Sequence, residues 1–219
     1  MKKLILLLSV VLLVSCKSSY LSSKKSAVLL DINQEKDDNA FVNLKNYSHD
    51  FVFDMKYATA DNFLKEQVYP CDECFLRVKT IKALLHANQA FIAKGYRIKL
   101  YDCYRPLAIQ KKMWKIVPNP TYVANPKKGS IHNKGGAVDI TLVDSLGVEL
   151  NMGTGFDFFG PEAGHNYTDL SAEILANRQL LKSIMLQYNF KSFDSEWWHY
   201  NLNNSATDEV SNLKWRCED

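Results

Sequence analysis

Apolar residues recur at helical spacing in two long stretches of the chain. From Val78 to Ile92 they lie three or four positions apart, and Gly95 follows as a helix stop. Residues 171–188 show the same period, with an inward face formed by Ile174, Leu175, Leu181, Ile184 and Met185. Pro106 suits the first position of a shorter helix that runs through Trp114. The pattern therefore predicts three helices.

Other segments alternate between apolar and polar positions, which is typical of strands. The alternation covers residues 51–57 and 96–101, and residues 138–143 with 148–150 predict a hairpin. From Phe190 onward the chain is again predicted to be strand. Because strands and helices are mixed and hairpins link some of the strands, we expect an α+β fold. No internal repeat divides the chain, so one domain is expected.

The first residues form a targeting segment. Lys2 and Lys3 precede an apolar run, residues 4–14, that is too short to span a bilayer, so residues 1–15 are interpreted as a signal peptide. The segment ends in Leu-Val-Ser-Cys, which resembles a bacterial lipobox and predicts cleavage before Cys16 and lipidation of its sulfur. An ordinary secretory signal is the alternative. Several acyl chains on Cys16 would give a stable anchor, whereas a single chain holds only marginally.

Composition limits the functions of the exported part. Residues 16–40 are polar and are interpreted as a tether, and residues 41–219 are long enough for one domain with a core. Loss of Lys2 and Lys3 lowers the formal net charge from +3 to +1. With this charge and no basic stripe, nucleic acid is not an expected partner. We expect a location in the cell envelope, facing the periplasm or the outside, with membrane contact only through Cys16.

Four cysteines remain besides Cys16. An even number in an exported protein favours disulfides, and four cysteines allow three connectivities among Cys71, Cys74, Cys103 and Cys217. Cys71-Asp-Glu-Cys74 is also compatible with a redox pair or with half of a zinc knuckle. Since no second Cys-x-x-Cys completes a knuckle, structural disulfides or free thiols are favoured, and the pairing stays open.

Two short segments carry the residue types of a zinc hydrolase. Ser130-Ile-His-Asn-Lys-Gly-Gly-Ala-Val-Asp139 and Glu196-Trp-Trp-His199 contain two imidazoles and two carboxylates. A catalytic zinc takes three protein ligands and leaves the fourth position to water. We assign His132, Asp139 and His199 as the ligands of one Zn²⁺ per chain. Glu196 is then left to transfer protons, which predicts a hydrolase that activates water.

Further segments match a family pattern around these residues. The pattern Ser-x-His-x-x-Gly-x-Ala-x-Asp followed by Glu-x-Trp-His is accompanied by three more segments: Tyr57-Ala-Thr-Ala-Asp-Asn-Phe63, Asp102-Cys-Tyr-Arg-Pro106 and Met152-Gly-Thr-Gly-Phe-Asp-Phe158. On these segments, within residues 50–202, the chain resembles the D-alanyl-D-alanine dipeptidases, a branch of the zinc D,D-peptidases. Cys103 stands where that family has a glycine. The resemblance implies the α+β fold of hedgehog and D,D-peptidase domains, with a central antiparallel sheet flanked by helices.

The resemblance also implies roles for the matching residues. Glu196 would act as the catalytic base and then as the acid, and Arg105 would stabilise the oxyanion. Tyr57, Ser130 and Asp157 would line a dipeptide pocket, with Asp157 facing the amino group of the substrate. The implied reaction is zinc-dependent hydrolysis of D-Ala-D-Ala to two D-alanines, in peptidoglycan turnover.

Two other functions remain open from the sequence. A D,D-carboxypeptidase that trims peptidoglycan stem peptides would use the same zinc chemistry on longer, blocked substrates. A non-catalytic module would keep the zinc for stability or ligand recognition. The presence of both Glu196 and Arg105 speaks against the non-catalytic module, because structural zinc needs neither residue.

Overall fold

The structure, a computed structural model, describes residues 32–120, 122–215 and 217. The predicted signal peptide and the lipidation site Cys16 lie outside the described residues. No helix within this described part is long and apolar enough to cross a membrane. Ile32 is already buried in the core, and Arg77 donates a hydrogen bond to the Asn39 carbonyl. The described end of the predicted tether, residues 32–40, therefore packs against the domain.

A five-stranded sheet forms the centre of the fold, with a pair of short strands beside it. In chain order the strands are β1 (Phe41–Asn43), β2 (Val52–Phe53), β3 (Phe75–Arg77), β4 (Arg97–Asp102), β5 (Ala137–Val143), β6 (Phe190–Phe193) and β7 (Glu196–Leu202). The central sheet has the order β2-β4-β5-β7-β6, and β1 pairs with β3. All neighbours are antiparallel except β2 and β4, which are parallel.

Three helices accompany the central sheet: α1 (Val78–Ile92), α2 (Leu107–Ile116) and α3 (Ala172–Gln187). Helices α1 and α3 pack against each other and against the sheet. Helix α3 begins where the Ser171 side chain accepts a hydrogen bond from the Ile174 N–H, which satisfies one of the free donors of the first turn. Gly95, at φ +88°, reverses the chain after α1. The predicted α+β class, with a central sheet flanked by helices, is confirmed.

Strand β5, the middle strand of the central sheet, carries the candidate ligand Asp139. All seven of its residues are buried, and because successive side chains point to opposite faces, both faces of the sheet are covered at this strand. Asp139 of β5 is in register with His199 of β7 on one side and with Asp102 of β4 on the other. Three adjacent strands therefore deliver their polar side chains to the same part of the fold.

Several predicted boundaries were wrong. Residues 51–57 form only the two-residue strand β2, because Lys56–Ala58 turns into a single 3-10 turn. The predicted hairpin after β5 is present but short: it has one bridge, between Val143 and Glu149, and hydrogen bonds from the Asp144 N–H to the Val148 carbonyl and from the Leu150 N–H to the Leu142 carbonyl. The strand predicted from Phe190 onward is two strands, β6 and β7, which pair as a hairpin. The helices at 78–92 and 171–188 were confirmed to within a residue.

Two disulfides among the described residues give the pairing of the four cysteines, which the sequence left open. Cys71 is bonded to Cys217 across 146 positions, and Cys74 to Cys103 across 29 positions. Because the two cysteines of Cys71-Asp-Glu-Cys74 have different partners, this segment is neither a redox pair nor half of a zinc knuckle. By restricting the unfolded chain, disulfides of this kind typically stabilise a protein by about 2–4 kcal/mol each.

Gly135 lies where the backbone bends after His132, in the left-handed region at φ +69°. A Cβ at this position would collide with the Phe41 ring, whereas a Cβ at Gly147, φ +84°, would meet no atom within 4 Å. Both alanine variants carry the positive-φ cost of about 1–3 kcal/mol, and overpacking adds about 1–3 kcal/mol at Gly135 alone. Urea unfolding should therefore show a larger loss of free energy for Gly135→Ala. Equal losses in the two variants would contradict the collision.

Candidate active site

Three potential metal ligands meet between β5, β7 and the 3-10 turn His132–Lys134. His132 Nε2 lies 3.4 Å from Asp139 Oδ2 and 3.2 Å from His199 Nδ1. His199 Nδ1 lies 2.9 Å from Asp139 Oδ1. One ligand atom from each residue is within 4.8 Å of the other two, so the residues assigned as ligands from the sequence do converge.

The far nitrogen of each imidazole is tied to an acceptor. His132 Nδ1 lies 2.7 Å from the Cys103 carbonyl oxygen, and His199 Nε2 lies 2.9 Å from Asn201 Oδ1. Since these oxygens can only accept, the far nitrogens carry the protons and the near nitrogens are left to face the cluster. Histidines that bind metals are oriented in this way. Two imidazole nitrogens and a carboxylate around one small space fit a divalent cation.

Asp139 and His199 form a charged pair when no cation lies between them. Burial acts to raise the pKa of Asp139, but the charges and hydrogen bonds of His132 and His199 outweigh it and hold that pKa well below its usual range. Burial acts to lower the pKa of His199, but the hydrogen bond and charge of Asp139 and the charge of Glu196 raise it to about 9. A cation that binds at neutral pH therefore has to displace a proton.

Glu196 is the first residue of β7 and stands beside the three-residue cluster. Its Oε2 is 3.8 Å from His199 Nδ1, and 29% of its side chain is exposed. Burial and the negative charge of Asp139 raise the pKa of Glu196 above its ordinary value, although His199 opposes them. A carboxylate with a raised pKa next to a cation site is suited to exchange protons.

Arg105 is held in place from several directions. Its Nη2 is 2.5 Å from Asp102 Oδ2, and its Nη1 donates to Gln110 Oε1 at 3.0 Å. Tyr69 in turn donates to the other oxygen of Asp102 at 2.7 Å. The guanidinium carbon lies 5.2 Å from the centre of the Tyr57 ring. The buried Arg105 Nε finds no hydrogen-bond partner among the described residues.

Tyr57 and Asp157 are joined although they are 100 positions apart. The Tyr57 hydroxyl donates to Asp157 Oδ2 at 2.8 Å. Burial first, and then the charge of Asp139, raise the pKa of Asp157 well above its usual value. Asp157 also has φ +56°, a region that Asp and Asn tolerate better than most residues. A positively charged group that enters beside Asp157 would favour its ionised form.

One cavity of about 350 Å³ connects these groups. Its walls include every residue assigned to the site from the sequence: Tyr57, Arg105, Ser130, His132, Asp139, Asp157, Glu196 and His199. The Ser130 hydroxyl accepts a hydrogen bond from the His132 N–H at 3.3 Å, so Ser130 borders the turn that carries a ligand. Two aromatic contacts line the mouth, Phe63 with Phe159 at 5.0 Å and Tyr122 with Phe159 at 4.1 Å between ring centres.

The structure adds supporting residues that the sequence reasoning missed. Asp102 holds Arg105, and Asn201 and the Cys103 carbonyl orient the two imidazoles. Asn201 follows His199 by two positions on a strand, so its side chain lies on the same face, and this spacing was a usable signal. A backbone carbonyl such as that of Cys103 leaves no mark in the sequence.

Comparisons with known proteins show the family to which the chain belongs. The family model described as D-ala-D-ala dipeptidase matches residues 37–214. The chain belongs to this family. It is 34% identical to the D-alanyl-D-alanine dipeptidase of Escherichia coli K12 over 78% of this chain and 89% of that protein. It is 32% identical to the protein of the same name from Enterococcus faecium, over 74% of this chain and 91% of that protein.

The raised pKa of His199 predicts proton release when a metal binds. At pH 7 the metal-free protein holds a proton on His199, whose pKa is about 9, and a divalent cation that binds there must displace it. We expect at least one proton released per metal ion at pH 7, and the share that comes from His199 should disappear as the pH rises above its pKa of about 9. Calorimetric titrations in buffers with different ionisation enthalpies measure this number. A value near zero at pH 7 would show that His199 is already neutral.

Proposed function

We propose that this protein hydrolyses the dipeptide D-Ala-D-Ala to two molecules of D-alanine, using one Zn²⁺ per chain. The observation that carries the proposal is the meeting of a three-ligand cluster, a nearby carboxylate, a fixed guanidinium and a buried carboxylate in one cavity: His132, Asp139, His199, Glu196, Arg105 and Asp157. The names of the relatives support the choice of D-Ala-D-Ala as substrate.

Zinc is the metal that this ligand set fits best. Two imidazole nitrogens and one carboxylate oxygen are typical of catalytic zinc sites, which keep a further position open. When bound, zinc supplies Lewis acidity that polarises a peptide carbonyl and lowers the pKa of water towards about 7. The hydrogen bonds from His132 to Cys103 and from His199 to Asn201 keep both rings oriented for this role.

Glu196 would move the proton. It would accept a proton from the attacking water and then donate that proton to the leaving amine, so that one side chain serves both steps. Its position supports this role, because Oε2 lies 3.8 Å from His199 Nδ1 and part of the side chain is open to the cavity. Its raised pKa brings its proton affinity nearer to the working pH.

Arg105 would stabilise the negative charge that develops on the carbonyl oxygen. The ion pair with Asp102 and the bond to Gln110 fix the guanidinium before substrate arrives, so little reorganisation is needed during the reaction. Arg105 lines the cavity, so its guanidinium can face a substrate oxygen there. Removal of one such donor commonly lowers the rate by about 10²–10³-fold.

Asp157 would select a substrate with a free amino group. The carboxylate is buried in the cavity wall and oriented by the Tyr57 hydroxyl, so an ammonium group would find a fixed, poorly solvated partner there. Ser130 would support the other part of the pocket next to His132. In a long stem peptide the chain continues on the amino side of the cleaved bond. The pocket of a carboxypeptidase therefore has to be open on that side, without a carboxylate such as that of Asp157.

The place of action follows from the N-terminal sequence rather than from the folded domain. Cleavage before Cys16 and acylation of its sulfur would anchor the protein in the cell envelope, facing the periplasm or the outside. The two disulfides support an oxidising compartment. There the protein would act in peptidoglycan turnover.

Glu196→Gln tests the assigned base. The amide keeps the size of the side chain but cannot accept the proton. We therefore expect kcat to fall by about 10²–10⁴-fold, the usual contribution of acid–base catalysis. Zn²⁺ content, measured by metal analysis after dialysis, should stay at one per chain. Glu173→Gln, an exposed change on α3, is the matched control and should leave kcat and zinc unchanged. Full activity of Glu196→Gln would remove this residue from the mechanism.

Asp157→Asn tests the preference for a free amino group. Asn tolerates φ +56° and keeps a hydrogen bond with Tyr57, so the fold should be preserved. Loss of one partner of a buried charge pair costs about 2–5 kcal/mol, and we expect kcat/KM for D-Ala-D-Ala to fall by at least about 30-fold. The exposed Asp169→Asn serves as the control.

The same assay separates the dipeptidase from the carboxypeptidase. Purified protein with Zn²⁺ should cleave free D-Ala-D-Ala far better than its N-acetylated form. If the acetylated peptide is the better substrate and Asp157→Asn changes little, the carboxypeptidase is the correct function. If neither peptide is cleaved, the proposed activity is wrong.

A further inference from the structure

Cys103 brings both of its backbone polar groups to the candidate site. Its carbonyl oxygen accepts the hydrogen bond from His132 Nδ1 at 2.7 Å. Its N–H donates to Asp102 Oδ1 at 2.9 Å, and the other oxygen of Asp102 is paired with Arg105. The backbone of Cys103 therefore touches a metal ligand on one side and the carboxylate that holds Arg105 on the other. A shift of this residue would disturb both groups.

The side chain of Cys103 is fixed elsewhere, by its disulfide to Cys74. Both cysteines are fully buried. Cys74 directly precedes β3, and its carbonyl accepts a hydrogen bond from the Leu44 N–H at 2.9 Å. One residue further along each segment, the Tyr104 N–H donates to the Phe75 carbonyl at 2.9 Å. The disulfide therefore attaches the end of β4 to the small β1–β3 sheet.

The same strand, β3, also holds the turn that carries His132. The Arg77 N–H donates to the Gly135 carbonyl at 3.1 Å, and Arg77 Nε donates to the Lys134 carbonyl at 2.6 Å. One end of β3 is thus hydrogen-bonded to the residues just after His132. The other end follows Cys74, whose disulfide leads to Cys103, the residue whose carbonyl accepts the hydrogen bond from His132. This three-residue strand helps to set the separation between the ligand and its acceptor, together with two direct hydrogen bonds, from the Arg105 N–H to the His132 carbonyl at 3.1 Å and from Asn133 Nδ2 to the Arg105 carbonyl at 2.7 Å.

We propose that Cys103 is a positioning residue for the metal centre, and that the Cys74–Cys103 disulfide raises zinc affinity by fixing the Cys103 carbonyl against His132 Nδ1. The inference rests on the proposed zinc site and concerns how tightly that site holds its metal. Without the disulfide, the segment after β4 loses its covalent attachment to β3, and hydrogen bonds alone hold the Cys103 carbonyl against the His132 ring. Hydrogen-bond partners of metal-binding histidines typically contribute about 10–100-fold in metal affinity or activity.

The two disulfides of this chain make a matched pair for the test. Cys74→Ala with Cys103→Ala removes the one beside His132, and Cys71→Ala with Cys217→Ala removes the other. The dissociation constant for Zn²⁺ is measured by competition with a chromophoric chelator, and urea unfolding of the metal-free proteins is measured alongside. We expect the first double variant to bind Zn²⁺ about 10–100-fold more weakly. The second should bind it as the wild type does, although it also loses stability.

The ligand geometry gives an independent readout. With Co²⁺ in place of Zn²⁺, the visible absorption bands report the arrangement of the ligands, and only the variant lacking Cys74 and Cys103 should show altered bands. If that variant binds Zn²⁺ like the wild type, or if both double variants lose affinity equally, the inference is overturned and the disulfide serves general stability alone. Failure of the wild type itself to bind Zn²⁺ would instead contradict the proposed function.

Reduction of the wild type covers the case in which the first double variant does not fold. Because Cys74 and Cys103 are fully buried, the reaction is run in urea below the unfolding midpoint, where transient opening exposes them. A water-soluble phosphine and one water convert a disulfide into two thiols and a phosphine oxide, and alkylation with mass spectrometry shows which disulfide has opened. Transfer of Zn²⁺ to the chelator should follow the opening of Cys74–Cys103 and not that of Cys71–Cys217. Retention of Zn²⁺ after Cys74–Cys103 has opened would overturn the proposal.

Discussion

The pairing of β5 with β7 is the constraint on which the candidate site depends. It places Asp139 directly opposite His199, with their side chains on one face of the sheet and 2.9 Å between Oδ1 and Nδ1. A slip of one residue would turn one of these side chains to the opposite face and separate the pair. Because burial of unpaired charge is costly, the cluster favours either a shared proton or a cation at its centre.

Around this pair, neighbouring elements fix each functional group before any ligand binds. Asp102 and Gln110 hold Arg105, the Cys103 carbonyl and Asn201 orient the imidazoles, and the Tyr57 hydroxyl fixes Asp157. Groups that need little movement during a reaction lower its barrier more effectively than mobile ones. The residues that hold these groups therefore bear on the geometry of the site as well as on stability.

Local sequence patterns were reliable where a single element decides the outcome. The helices at 78–92 and 171–188 follow from apolar spacing, with Gly95 and Ser171 at their ends. The segment 51–57 failed because its alternation is cut short by a 3-10 turn at Lys56, which depends on contacts with the rest of the fold. The strand from Phe190 onward was not resolved into a hairpin, since its turn at Asp194 and Ser195 carries no glycine or proline.

The sequence by itself determined the chemical content of the site, because the ligand types, the spare carboxylate Glu196 and the surrounding segments are all visible as short motifs. Only the tertiary structure decided how these groups are held. The link of Asp157 to Tyr57 and the pairing of Cys74 with Cys103 join positions far apart in the chain. The support of His132 by a carbonyl has no side-chain signature. Such contacts arise from packing and strand register, which only the folded chain specifies.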